Sequence, residues 1–287
     1  MFQVKCDKSN PMSGGKFEHK SENQLFGKQV FMKENIAIIT GATGGLGREF
    51  VRQLIEEVHE VWAVGRNIEK LNSLANMYGE KIKSFSIDLS DIRNLEKIKS
   101  ELEGQDYIVK YLVNNAGTGR MAPSTDFTAD EIQSHINTHN TSMAVLCNIC
   151  IPYMEKGCHI INVASQSAFQ PVAYINLYAA SKAFCCSYSR ALNLELQEKG
   201  IVVTAACPGW IKTELLQTEI NGQKVHFPHL AEPEEVVKKA IKDAKKGKDM
   251  SVYSAYVRRM QFFSKYYPHK WIMHIWLKSI RKYIQQI

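Results

Sequence analysis

Short apolar runs and longer amphipathic stretches alternate along most of this chain. Residues 35–40 (NIAIIT) form an apolar run that ends in a glycine cluster, and 50–58 (FVRQLIEEV) then repeat their apolar positions at helical spacing. Similar runs recur at 60–65 (EVWAVG), 84–90 (SFSIDLS), 107–117 (YIVKYLVNNAG), 158–165 (CHIINVAS) and 201–209 (IVVTAACPG), and 250–254 (MSVYS) is a candidate seventh strand. Helical periodicity fills 92–103, 129–153, 178–198 and 233–245. Strands rich in Val and Ile, alternating with helices, predict an α/β fold with a doubly wound parallel sheet covered on both faces. Ligands of such a sheet bind beyond the carboxyl ends of its strands, at the point where the strand order reverses.

The first strand end carries TGATGGLG, residues 40–47. Gly41, Gly45 and Gly47 let the backbone turn tightly and approach a pyrophosphate, while the next helix offers its N-terminal N–H groups. The spacing is G-x-x-x-G-x-G, and no Gly-Lys-Ser/Thr follows, so this is not a P-loop.

Composition sharpens the picture in three places. A chain of 287 residues, 45% hydrophobic, can bury one substantial core, so a single domain over 34–254 is expected. No apolar run reaches the ~18 residues that span a bilayer. Residues 1–33 are polar and Lys-rich, without the apolar centre of a secretory signal. They read as a disordered extension or a start-site artefact, since Met32 (MKENIAIIT) would be a natural start. Seven cysteines without a framework of spacings (Cys6, Cys147, Cys150, Cys158, Cys185, Cys186, Cys207) imply free thiols and a cytoplasmic protein. Cys147-x-x-Cys150 has no second pair at zinc spacing and reads as the face of a buried helix; no metal is expected. The net charge of +7 is local: seven Lys/Arg and no Asp or Glu lie between Ser251 and Ile287, leaving 29 basic and 29 acidic side chains elsewhere. A body with balanced charge offers no stripe for nucleic acid.

Five motifs follow one another in order: T-G-x-x-x-G-x-G at 40–47, N-N-A-G at 114–117, Ser165 at a strand end, Tyr178-x-x-x-Lys182, and Pro208-Gly209 with Thr213. Over roughly residues 34–250 the chain resembles the short-chain dehydrogenase/reductase family, in particular its hydroxysteroid dehydrogenases and 3-ketoacyl reductases. The resemblance implies a Rossmann-type fold, a dimer or tetramer, and hydride transfer between a nicotinamide and a carbonyl or alcohol. It makes Tyr178 the proton carrier, Lys182 its tuner and the holder of the nicotinamide ribose, and Ser165 the partner of the substrate oxygen. The chemistry is sound: a free tyrosine ionises near pH ~10, and an ammonium one helical turn away favours the phenolate. It also implies cofactor contacts by Thr43 and Leu46 in the glycine loop, by Asp88 on adenine, Asn115 on the adenosine side, and Pro208, Gly209 and Thr213, the last holding the carboxamide.

The family's fourth catalytic residue is an Asn on the preceding helix. Counting back from Pro152 without a gap gives His139, with Asn140 beside it and Asn137 near. Asn140 is taken here, supposing a one-residue shift in the helix; His139 would instead put an imidazole in the water relay. Where NAD enzymes end the second strand with an acid, this chain has Gly65-Arg66, and an arginine suits a 2′-phosphate. NADP(H) is therefore expected over NAD(H).

The loop 214–231 is moderately apolar and offers no Arg to a substrate anion. With Phe169, Val172 and Tyr174 it favours a bulky hydrophobic carbonyl or secondary alcohol, such as a steroid, bile acid or long-chain 3-oxoacyl group. In the tail, residues 255–287, a helical stripe of Trp276, Ile280, Tyr283, Ile284 and Ile287 either packs over the substrate mouth or another subunit, or lies on a membrane as a basic amphipathic helix. The rival to an enzyme is a dinucleotide-sensing scaffold that recruits partners or membrane through this tail. Ser165, Tyr178 and Lys182 speak against it, since a sensor needs no proton carrier.

Overall fold

Alternation along the first strand explains how the sheet is covered. In β1 (Glu34–Thr40), Ile36 and Ile38 point to one face and Ala37 and Ile39 to the other, and all four are fully buried. Ile36 and Ile38 join Trp62, Leu112, Ile160 and Val203 in one core layer; Ala37 and Ile39 join Val61, Tyr111, Val113 and Ile161 in the other. Each such aliphatic contributes roughly 1.5–3 kcal/mol by burial.

The structure is a computed structural model that describes residues 33–214, 216, 219–220, 223–224, 227 and 229–284. The expected N-terminal extension and Cys6 lie outside those residues. The described residues from Lys33 to Ile284 form one compact unit. In chain order come β1, α1 (Gly45–Leu54), β2 (Glu60–Gly65), α2 (Ile68–Tyr78), β3 (Ile82–Ser86), α3 (Glu96–Glu103) and β4 (Tyr107–Asn114). There follow α4 (Ala129–Ile136), a π-helical turn (Asn137–Thr141), α5 (Ser142–Cys150), β5 (His159–Val163), α6 (Asn176–Glu195) and β6 (Val202–Cys207). A small hairpin of β7 (Glu219–Ile220) and β8 (Gln223–Lys224) leads to α7 (Pro233–Lys245), β9 (Met250–Val252), α8 (Ala255–Tyr266) and α9 (His269–Ile284).

Seven strands pair in the order β3-β2-β1-β4-β5-β6-β9, every pairing parallel. The expected doubly wound sheet is present, and its order reverses between β1 and β4. One layer is closed by α3, α5 and α6 through Ile98, Leu102, Leu146, Cys147 and Leu192. The opposite layer is closed by α1, α2 and α7 through Phe50, Val51, Leu71 and Val237.

Two boundaries differ from the pattern. The third strand is Ile82–Ser86, ending where Ser86 pairs Gly65, whereas the run at 84–90 follows Ile87 and Leu89, buried just beyond the sheet. Helix α2 escapes the periodicity because only Leu71 and Leu74 are buried along it; Asn67, whose side chain accepts from Lys70 N at 2.7 Å, caps its start.

Candidate active site

The crevice at the reversal point is built first from backbone. Gly41 follows β1 with φ of 63°, a conformation glycine enters without strain. A Cβ placed on it would stand 2.9 Å from Asn115 Nδ2 and 3.0 Å from Ala116 Cα, so the loops after β1 and β4 touch through it. Gly47 is tighter still, since a Cβ there would lie 1.9 Å from Gly41 O. Thr40 Oγ1 accepts from Asn115 N and Ala116 N at 3.0 Å each, and Asn115 Nδ2 donates to Thr40 O and Gly41 O. The Asn115 amide N–H groups thus brace the glycine loop rather than reach outward to an adenosine. Gly44 starts α1 without a side-chain cap, leaving first-turn N–H groups for an anion. The loop fits a pyrophosphate, because its glycines pack against Asn115, Thr213 and its own backbone while the uncapped first-turn N–H groups of α1 are left for the anion.

The remaining expected cofactor contacts lie around that loop. A Cβ on Gly45 would meet Thr213 Cγ2 at 2.6 Å, so Thr213 lies directly on the loop. One on Gly65 would be 3.5 Å from Thr43 Oγ1, which places Thr43 at the end of β2, while Leu46 packs on the core. Arg66 follows β2 exposed, and among the described residues no carboxylate pairs with its guanidinium. Asp88 Oδ1 accepts from Ser90 N at 2.9 Å in the turn after β3. Pro208 O accepts from Gln166 N at 2.8 Å, and a Cβ on Gly209 would lie 2.9 Å from Val257 Cγ2 on α8.

Behind the loop stand the groups expected to move protons. Ser165, just past β5, is buried and its Oγ accepts from Ser167 N at 3.2 Å. Tyr178 is half-buried on the first turn of α6. Lys182, one turn on, is buried; its Nζ donates to Val163 O at 2.7 Å and lies 5.5 Å from the Tyr178 ring centroid. A lysine with one proton on a carbonyl keeps two for other acceptors.

The fourth position is where structure and sequence diverge. Thr128 and Glu131 form a capping box that starts α4, and the helix then passes through the π turn before continuing as α5. Within that turn the Asn140 amide, the residue taken from the sequence, donates to Ser181 O at 2.9 Å, and Asn137 donates to Ser90 O. His139 faces the crevice instead. Its Nε2 accepts from Thr118 N at 2.8 Å, and its ring lies edge-on to Tyr178 at 5.9 Å and stacked on His135 at 4.1 Å. A Cβ on Gly117 would stand 2.7 Å from His139 Cε1, so the glycine of N-N-A-G makes room for the imidazole. Burial, then Lys182 and His135, hold His139 well below the ordinary imidazole range, and burial with Lys182 brings His135 down to about 4. His139 Nδ1 and His135 Nε2 are buried without partners among the described residues. His139 and Lys182 share a cavity of about 10 Å³ with Thr40, Asn114, Thr138 and Ser142, the size of a single water.

Sequence reasoning missed Thr118, His135 and the role of Gly117; the i, i+4 spacing of two histidines beside the expected site was the available signal. It also named a stripe whose described part, Trp276 and Ile280, faces the domain. Trp276 Nε1 donates to Ala173 O at 2.9 Å and Ile280 is buried; Ile287 and the side chains of Tyr283 and Ile284 lie outside the described residues. Of the expected substrate wall, Phe169 packs on the core beside Cys185, Val172 is buried, and Tyr174 takes a φ of 65° while its carbonyl accepts from Ala122 N. Much of the 214–231 loop lies outside the described residues, though Trp210 and Phe227 meet there at 4.8 Å. Cys147 and Cys150 sit in the core as the pattern predicted, and burial pushes the Cys147 thiol up to about 12.

Comparison with known proteins agrees with this fold. The family profile described as short chain dehydrogenase matches residues 35–224. An NADP-dependent 3-hydroxy acid dehydrogenase of Salmonella typhi is 31% identical over 192 residues, 65% of this chain and 77% of its own. A very-long-chain 3-oxoacyl-CoA reductase of Danio rerio is 29% identical over 208 residues, covering 69% of this chain and 62% of the relative. A short-chain dehydrogenase from Sphingobium yanoikuyae, solved with NADPH, superposes with a TM-score of 0.69 at 24% identity, over 84% of this chain and 95% of that one.

Proposed function

The chain belongs to the short-chain dehydrogenase/reductase family, and on that premise we propose that it interconverts a bulky apolar carbonyl and its secondary alcohol with NADP(H). It is an oxidoreductase acting on CH–OH or C=O groups. What best supports the assignment of roles is the placement of the Lys182 ammonium 5.5 Å from the Tyr178 ring, behind a loop that only glycine can form.

When bound, NADP(H) supplies or takes the hydride. Gly41, Thr43, Gly45, Leu46 and Gly47 would hold its pyrophosphate, and Arg66 would hold the 2′-phosphate. Asp88, Asn115, Pro208, Gly209 and Thr213 border the remainder. The Tyr178 hydroxyl gives its proton to the carbonyl oxygen, and in the reverse direction takes it from the alcohol. Ser165 Oγ–H hydrogen-bonds the same oxygen and orients it. Lys182, anchored by donating to Val163 O, would hold the nicotinamide ribose and tune Tyr178.

We assign the fourth role to His139 rather than Asn140. The Thr118 N–H occupies Nε2, so the neutral ring carries its proton on Nδ1. Burial keeps it neutral. His139 is then a fixed N–H donor that holds a water beside Lys182, not a base. Val172, Tyr174, Trp210 and Phe227 support a large hydrophobic substrate of the steroid, bile acid or long-chain 3-oxoacyl kind. The named 3-oxoacyl-CoA reductase relative points the same way. A cytoplasmic homo-oligomer whose tail contacts a membrane completes the reading. It is supported by the buried free thiols, by Phe184 and Leu194 exposed on α6, and by exposed aromatics on α8 and α9.

The test is loss of NADPH absorbance against a panel of ketones, with NADPH binding measured separately. Tyr178→Phe should lower turnover by about 10²–10⁴-fold with binding retained. His139→Asn should keep most activity and His139→Leu lose about tenfold or more, neither removing a limb near the imidazole range from the pH profile. Wild type that binds NADPH but reduces no ketone would establish a sensor instead.

A further inference from the structure

Helices α8 and α9 are fixed by their inner faces and bare on their outer ones. Inside, Val257 and Ile280 are buried, Ser254 Oγ caps α8 by accepting from Val257 N, and Trp276 is tied to Ala173. Outside, six of the large apolar residues exposed among the described ones fall within residues 262–275: Phe262, Phe263, Tyr266, Tyr267, Trp271 and Ile275. Trp271 is 63% and Ile275 71% exposed. The rings touch one another, Phe262 with Tyr266 at 4.6 Å and Phe263 with Tyr267 at 5.3 Å, and the same two helices expose Arg258, Arg259, Lys265, Lys270, Lys278 and Arg281. No Asp or Glu occurs from Ser251 onward.

An exposed aromatic cluster on two helices that carry only cationic charge has a narrow range of partners. Pairing with a second copy by a two-fold axis would set this cationic surface against itself without a carboxylate to relieve it. An anionic bilayer supplies both complements: headgroup charge for the lysines and arginines, and an interface where Trp, Tyr and Phe rings are stable. Among the described residues no helix is long and apolar enough to cross a membrane, so the contact is at the surface.

We infer that the outer face of the α8–α9 elbow seats the enzyme on an anionic lipid surface, with the inner face of the same elbow roofing the substrate mouth. Resting on the reading of a large apolar substrate, this has a consequence: the carbonyl compound enters from the lipid rather than from water. The tie between Trp276 and Ala173 puts the bound helix directly beside Val172 and Tyr174.

Flotation of the full chain with phosphatidylcholine vesicles, with and without phosphatidylglycerol, decides the matter. Binding should need the anionic lipid and weaken as salt rises. The double variants Trp271→Ser/Ile275→Ser and Lys270→Glu/Lys278→Glu should each weaken it by about tenfold or more with an unchanged melting temperature. Both should lower turnover of a long-chain ketone dissolved in such vesicles by a similar factor and leave a water-soluble ketone unaffected. Failure to float with anionic vesicles overturns the proposal, as does a dimer in sedimentation that Trp271→Ser/Ile275→Ser dissolves. So does capture by a soluble acidic protein with no lipid binding. If no ketone is reduced at all, the enzymatic reading falls and flotation still decides the docking surface.

Discussion

On the β1 side of the crevice the decisive contacts are between backbone atoms, whereas on the β6 side they are made by side chains carried on the C-terminal helices. The glycine loop leaves no room for a methyl group: a Cβ on Gly47 would sit 1.9 Å from Gly41 O. Across the crevice, Val257 fills the space above Gly209 and Trp276 closes over Ala173, and either contact could be made by other side chains on differently placed helices. The first half is built so that almost any change breaks it. The second tolerates change, and on the proposed reading it is the half that would choose the substrate.

The largest effect should come from the backbone half. Gly47→Ala forces its methyl against main-chain atoms, which cannot swing aside as the tip of a side chain can. The expected outcome is loss of NADPH binding in a fluorescence titration and a destabilisation of several kcal/mol, on the order of an overpacked core. Gly45→Ala is the control, because its methyl meets the Thr213 side chain and Thr213→Ser removes the atom in the way. Recovery in that double variant, with none available to Gly47→Ala, would sharpen the contrast between rigid and yielding neighbours.

The side-chain half has its own anchor in Asp243 of α7. Burial alone would raise this carboxyl, but hydrogen bonds from Lys239 Nζ at 2.7 Å, Lys248 Nζ at 2.8 Å and Ser251 Oγ at 2.8 Å outweigh it and hold the pKa at about 2. The depressed value fixes the sign. The unfolded chain takes up this proton first, so the stability is fully present above about pH 4, the ordinary range of Asp. It is lost as pH falls toward about 2. Asp243→Asn should cost about 2–4 kcal/mol near neutrality by leaving buried donors poorly matched. Denaturant melts from pH 6 to 2 should show a flatter decline in the variant; equal slopes would remove Asp243 from the account.

On the β1 half, just past β2, lies Arg66, exposed and without a carboxylate among the described residues. Arg66→Ser should weaken NADPH by roughly 10–100-fold while leaving NADH nearly unchanged, the magnitude of losing charged hydrogen bonds to one phosphate. Equal loss for the two nucleotides would mean that Arg66 only shapes the loop.

The same contrast explains what could be read from the chain. The glycines and N-N-A-G are visible because backbone geometry permits few residues there, and β1 is visible because both of its faces are dry. At the expected fourth position the ungapped count from Pro152 already falls on His139, and the choice of Asn140 supposed a one-residue shift that the π turn at Asn137–Thr141 does not supply. The Asn140 amide donates to Ser181 O, while His139 Nε2 accepts from Thr118 N, which is why the proposed role goes to His139. In the tail, amphipathicity marked a stripe without saying what covers it. Trp276 and Ile280 proved to be the domain's own contact, and the bare face belongs to Trp271 and Ile275.

The smallest effect concerns that covered stripe. Trp276→Phe keeps most of the apolar area and removes one N–H donor, leaving Ala173 O to find water. A cost of about 1 kcal/mol in stability is expected. If the indole positions the roof of the substrate mouth, KM for a large ketone should rise about three- to tenfold while kcat and NADPH affinity stay within twofold, because uniform binding is lost and no proton-moving group is touched. A small ketone should be reduced as before. Should kcat fall for both substrates instead, α9 would be supporting the Ser165 turn from behind rather than roofing the mouth, and the two halves of the crevice would be mechanically coupled through the segment that holds Ala173.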